Sequence, residues 1–279
     1  MRLTEAFDMY FNEYMAIKGQ SKRIVESHIY CRRKITELLG DKDVSKLTVE
    51  DVSKWVKEML KTRCLNTVRT YITRLRCVLA YCELRGVPCL NPVLIPMPKR
   101  DETVPVFLSE AEVTAMIACA YNLRNAFVIS LLYSSGIRLS ELIQLNRGQI
   151  VDRRFTVIGK GRKSRLCFID KRTEDLMSAY LETREDKSPA LIVSARYKQR
   201  MTPTNIQLLV HNSAVRAGIK KNVTPHTLRH SFATNFLRNN GNMRYLSTML
   251  GHASLDTTMM YTHVVDYDLQ RQYEKYHTI

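Results

Sequence analysis

Four short stretches of the chain carry residue types that suit chemistry on a phosphate. The first, Tyr133-Ser-Ser-Gly-Ile-Arg138-Leu-Ser-Glu141-Leu142, puts an arginine just past a glycine break at the start of a short helix. Glu141 follows three residues later on the same face, where it can hold the guanidinium. The second is Thr224-Pro225-His226-Thr-Leu-Arg229-His230-Ser231. Thr224 is a helix cap and Pro225 a first helical residue, so His226 and Arg229 share a face at a helix start. Free backbone N–H groups at that end favour an anion. In the third, Gly251 stops a helix, His252 lies in the connection and Tyr261 falls about two turns into the next helix, before Thr262 and His263. The fourth is a basic turn, Gly159-Lys160-Gly161-Arg162-Lys163-Ser164-Arg165. It does not meet the G-x-x-x-x-G-K-[ST] spacing of a nucleotide phosphate loop, so no ATP site is implied.

Taken singly, each stretch also has an ordinary reading: a surface ion pair, a capped helix with an incidental histidine, a core tyrosine, a solvated turn. Taken together they describe phosphoryl transfer to a protein nucleophile. That reaction needs cations around the non-bridging oxygens, a proton donor for the leaving oxygen and a base for the nucleophile. A tyrosine ionises only about once in a thousand at pH 7, a handicap of roughly 4 kcal/mol. Two arginines, two histidines and a lysine supply that deficit without a metal. The chain shows no obvious carboxylate or Cys/His metal cluster, and neither metal nor cofactor is expected.

A chain that is basic along its whole length usually meets a polyanion; the plain alternative is a merely soluble basic protein. The formal net charge is +16 over 279 residues, with 19 Lys and Arg against 11 Asp and Glu in residues 1–100 and 24 against 16 in the remainder. The basicity is therefore no detachable tail, and nucleic acid is the usual partner of such a surface. Seven scattered cysteines without a C-x-x-C pair fit a reducing compartment. No apolar run reaches the roughly 20 residues of a membrane span, and no signal-peptide core is present. The expectation is a cytoplasmic protein with no membrane contact.

Helical periodicity dominates residues 1–87, with helices predicted from Leu3 to Met15, Ser21 to Leu39, Thr48 to Leu60 and Asn66 to Leu84. Arg69, Arg74 and Arg76 on the last of these read either as a solvated surface or as phosphate contacts. Five of the eight prolines fall in residues 87–106, which predicts an extended linker over 88–106. Residues 107–279 then read as helices around one loose hairpin, Arg154–Ile158 with Arg165–Ile169, and a possible short strand at Ala190–Val193. Helices are predicted at Leu255–Thr262 and Asp266–Tyr276 as well.

The segments SGIRLSEL, GKGRKSR, TPHTLRHSFAT and LGHASLDTTMMYTHV, in that order, closely resemble the motifs of tyrosine recombinases of the phage-integrase superfamily, especially its compact Xer-like members. The resemblance is specific over residues 106–265. It implies a mainly α fold: a SAM-like helical core-binding domain followed by an α+β catalytic domain with a small β-hairpin and a helical C-terminal tail. It implies that Arg138 and Arg229 stabilise the charged transition state and that Lys160 protonates the departing 5′ oxygen. His226 would assist proton transfer, His252 would bond the phosphate, and Tyr261 would form a 3′-phosphotyrosyl bond. Glu141 resembles the acidic partner of the first arginine. Arg69, Arg74, Arg76, Arg162, Lys163 and Arg165 are expected on DNA. The implied partners are double-stranded DNA with specific core sites and further copies of the chain, assembled as a tetramer that exchanges C-terminal tails. Packing of that tail on its own domain is an equal alternative. Asn235 stands where the family often has histidine, and no arm-binding domain precedes the helices. The nearest rival is a type IB topoisomerase-like enzyme that nicks and reseals one duplex; a non-catalytic DNA-binding protein on the same fold should have lost one of these residues.

Overall fold

Local hydrogen bonds written in the sequence start most of the helices. The computed structural model describes residues 1–17, 19, 22–99, 106–159 and 164–251, which belong to two compact units, Met1–Thr103 and Val104–Ile279.

In the first unit, α1 (Leu3–Met9) runs directly into a π-helical turn, Tyr10–Met15. α2 (Lys22–Leu39) stops at Gly40, whose φ of +83° costs a glycine no Cβ clash. α3 (Val49–Leu60) opens with a reciprocal cap between Thr48 and Asp51. α4 (Leu65–Leu84) supplies the central wall of the core, burying Val68, Ile72, Leu75 and Leu79 against Phe7, Ile35, Trp55 and Met59. His28 is buried in the same core, its ring 5.4–5.7 Å from those of Phe7, Tyr10 and Phe11. Burial pushes its pKa down, which keeps the imidazole neutral.

The proline-rich stretch, expected as an extended linker, packs on the first unit over much of its length. Asn91 caps a 3-10 turn at Pro92–Leu94, accepting the Val93 N–H at 2.9 Å. Ile95 behind it is almost wholly buried in the first unit's core, and Val87, Cys89, Leu90 and Met97 pack against that core. The prolines prevent helix and strand, yet the apolar residues between them have a surface to cover. Residues 100–105 of this stretch lie outside the described residues.

The second unit is fastened at its beginning. Leu108 donates its N–H to Ser231 Oγ at 2.8 Å, and its carbonyl accepts from Asn235 Nδ2 at 3.1 Å. Asn235 also donates to Tyr133 Oη at 3.0 Å, a buried tether that suits an amide at that position. α5 (Glu110–Ala118) follows a Ser109–Glu112 capping box. α6 (Leu123–Ser135) is the central helix, with Phe127, Val128, Ile129, Leu131 and Leu132 fully buried, and packs against α5. It ends at Gly136, and α7 (Leu139–Gln144) begins at Arg138.

β1 (Arg154–Ile158) and β2 (Ser164–Phe168) form an antiparallel pair in which Val157 faces Arg165 and Phe155 faces Cys167. Phe155, Val157 and Cys167 are buried on its inner side. α8 (Lys171–Glu182), α9 (Pro203–Arg216) and α10 (Pro225–Arg238) also pack on α6, and α11 (Met243–Leu250) packs on α10. The short strand predicted at Ala190–Val193 is replaced by isolated bridges, Asn146 with Ala190 and Val193 with Arg200. The helices predicted at 255–262 and 266–276 lie outside the described residues. No described helix is long and apolar enough to cross a membrane.

Candidate active site

Three breaks in regular structure meet at one place in the second unit. They are the glycine turn between α6 and α7, the start of α10, and the end of α11. Gly136 has a φ of +59°, and a Cβ there would lie 2.5 Å from Phe232 Cδ1, so only glycine allows α6 to turn this closely over α10. That turn delivers Arg138 to the first position before α7. The capped start of α10 delivers His226 and Arg229. α11 stops at Gly251, with a φ of +63°.

The arginines converge on the end of α11. Arg229 is buried; its Nη1 donates to the Gly136 carbonyl at 2.6 Å and its Nη2 to the Leu250 carbonyl at 2.7 Å. Arg138 donates through Nη2 to the Gly251 carbonyl at 3.3 Å and through Nη1 to Glu141 Oε1 at 3.0 Å. Arg165 donates through Nε to the Met249 carbonyl at 2.7 Å. Three guanidinium groups thus meet three consecutive carbonyls at a helix C-terminus, where the backbone dipoles favour positive charge.

Glu141 organises this cluster from beneath. Its carboxylate accepts the Arg138 N–H and Nη1, and Arg165 grips both its oxygens at 2.7 and 2.6 Å. Burial alone would push its pKa up. The bonds from Arg165 and from the backbone and side chain of Arg138 outweigh it and hold the carboxyl below the usual range. His226, at the exposed edge of the cluster, is pushed below the ordinary histidine value by partial loss of water and by the charges of Arg229 and Arg138. It is therefore neutral near pH 7 and able to accept a proton.

Arg165 requires a correction. It was expected on DNA with Arg162 and Lys163, but its side chain is only 7% exposed and points inward onto Glu141 and Met249. Strand parity explains this: Arg165 shares the inner side with Cys167 two residues on. That signal was in the sequence, masked by apolar Leu166 and Phe168 on the outer side. Lys160, Arg162, Lys163, His252 and Tyr261 lie outside the described residues. In the first unit, Arg69 and Arg76 are seven residues apart on one face of α4, while Arg74 lies on the side nearer Tyr10 and His28. None of the three forms an ion pair among the described residues.

Residues 106–267 match the phage integrase family. The chain belongs to that family. Along almost its whole length it resembles the tyrosine recombinase XerA of Pyrococcus horikoshii, with 32% identity over 270 residues that cover 95% of this chain and 91% of that one. The crystal structure of XerA recombinase matches with a TM-score of 0.57 and 26% identity, covering 99% of this chain and 98% of that one. A lambda integrase tetramer bound to a Holliday junction shares the fold, with a TM-score of 0.80 and 16% identity over 94% of this chain and 77% of its own. The recombinase is an enzyme that cleaves and rejoins DNA site-specifically, built from an N-terminal helical domain and a catalytic domain.

Proposed function

We propose that Tyr261 attacks a DNA phosphate held by Arg138 and Arg229. The tyrosine Oη–P bond forms as the P–O5′ bond breaks. The phenol proton passes to His226, and Lys160 gives a proton to the departing 5′ oxygen, with His252 bonding the phosphate. The 3′-phosphotyrosyl ester keeps the free energy of the broken diester, so a 5′ hydroxyl from a partner strand can attack it and rejoin the DNA without ATP.

The observation that carries this reading is the pair of bonds from Arg229 to Leu250 and from Arg138 to Gly251. Residues 91 positions apart in the chain are brought to adjoining carbonyls, and His252 is the next residue along. Arg138, whose bonds use one N–H of each Nη, keeps further N–H donors for a phosphate. In this reading the first unit clamps DNA through Arg69, Arg74 and Arg76, and Arg162 and Lys163 add contacts from the hairpin turn. The substrate is double-stranded DNA with specific core sites, bound by a tetramer in which C-terminal tails pass between subunits. The lambda integrase tetramer on its junction supports that assembly by its shared fold. Work on DNA fits a cytoplasmic protein.

The test begins with fragmented DNA of the source organism, incubated with the protein in EDTA and quenched in detergent. Covalent adducts should form, and sequencing of the captured fragments should give the core site. Tyr261→Phe should abolish the adduct; an adduct that persists in that variant overturns the assignment. A plasmid carrying two recovered sites should be resolved or inverted, whereas relaxation alone would identify a topoisomerase.

A further inference from the structure

Arg165 is an expensive residue for its position. An inward-facing place on a small strand, beside Cys167 and opposite Val157, suits an apolar side chain. A buried guanidinium there must be stripped of water at a cost of several kcal/mol, and a buried ion pair is seldom more stable than well-packed apolar residues. Stability therefore does not explain the residue. Its contacts do: two bonds to Glu141 and one to the Met249 carbonyl. The fit is close, since a Cβ on Gly251 would lie 2.8 Å from Arg165 Cδ.

Charge makes the reason plain. Glu141 holds Arg138 in place, but a carboxylate paired with Arg138 alone would cancel the charge that a phosphate must feel. Arg165 balances Glu141 instead, so the cluster of Arg138, Arg229, Arg165 and Glu141 keeps a surplus of two positive charges on the side of Arg138 and Arg229. Glu141 can then orient Arg138 without neutralising it.

We infer that Arg165 is a positioning residue for strand cleavage: it frees Arg138 from the charge of Glu141 and, through the Met249 carbonyl, holds the helix end that leads into His252. This rests on the assignment of Arg138 and Tyr261 above. Arg165 itself lies on β2, so one side chain joins three of the four segments from which the proposed reaction draws its groups.

The experiment uses the full chain and a nicked suicide duplex carrying the core site recovered by adduct capture. Adduct formation is timed in a single turnover at saturating protein, and affinity is measured separately by mobility shift. Arg165→Met should cleave on the order of 100-fold more slowly, as expected for a misplaced catalytic group, with affinity changed less than about threefold. Adding Glu141→Gln to that variant removes the uncompensated carboxylate and should recover about tenfold of the loss. A purely structural role predicts the opposite, since a second buried contact is lost. Arg165→Met at the wild-type rate, affinity falling as far as rate, or a double variant no faster than the single would each overturn the inference. If Arg165→Met does not fold, Arg165→Lys serves: about tenfold slower cleavage at unchanged affinity supports the inference, and the wild-type rate overturns it. Tyr261→Phe is run alongside; an adduct there would mean that the nucleophile assignment had failed, not the role of Arg165.

Discussion

Arg229 reaches across to Leu250 and donates to its carbonyl at 2.7 Å, from a side chain that is itself buried. With its second bond to the Gly136 carbonyl, it ties the end of α11 to the turn after α6. Lysine at this position has one ammonium where two diverging N–H donors are needed. Arg229→Lys should therefore lower unfolding stability by about 1–3 kcal/mol and slow cleavage by on the order of 10²–10³-fold. Urea unfolding and single-turnover adduct formation measure the two losses. Unchanged stability would show that the two carbonyl bonds contribute nothing to the fold.

Gly136 and Gly148 separate the cost of a backbone angle from the cost of a clash. Both have positive φ, +59° and +76°, but a Cβ at Gly148 meets nothing within 4 Å. At Gly136 it would meet Phe232 Cδ1 at 2.5 Å and Leu250 Cδ2 at 3.2 Å. Gly148→Ala should cost about 1–2 kcal/mol and Gly136→Ala at least about 1 kcal/mol more. Equal costs by urea unfolding would mean that Phe232 moves aside freely.

The carboxyl of Glu141 is held below its ordinary pKa in the folded protein. Its contribution to stability is therefore complete above the unfolded value, about 4.3, and drains away as pH falls from there through the folded value. Glu141→Gln should be less stable than the parent at pH 7, and the gap should narrow steadily below about pH 4. Thermal unfolding across pH 3–7 reads this; a gap that widens towards acid would reverse the assignment of the charged form.

His226 is pushed the other way for a base, towards neutrality near pH 7. If it takes the tyrosine proton, cleavage should fall on the acid side with a midpoint below the usual histidine value of about 6.5. His226→Gln should be slower near neutrality and should lack that limb. A limb that survives the substitution would move the base to another group.

Much of this architecture was legible because it is local. The Thr48–Asp51, Ser109–Glu112 and Thr224–Thr227 caps each close within one turn, so sequence neighbours decide them. Arg138 and Glu141 likewise meet across three residues. What the sequence concealed is long-range: the carbonyls of Met249, Leu250 and Gly251 have no residue-type signature, so nothing marked them as the meeting point of three arginines. The inward turn of Arg165 was concealed by composition, because its charge suggested solvent while its parity with Cys167 pointed to the core. The packing of Ile95 was missed for a related reason: proline density reports what a segment cannot form, not what it lies against.

The shared helix end has an evolutionary consequence. Arg138 and Arg229 hold the backbone together with the same groups proposed to bind phosphate. A lineage that ceased to need strand cleavage could not discard these side chains cheaply, since their loss would loosen the fold. Drift from enzyme to simple DNA-binding protein is thereby obstructed, and relaxed selection should first remove residues that do chemistry without bearing structure.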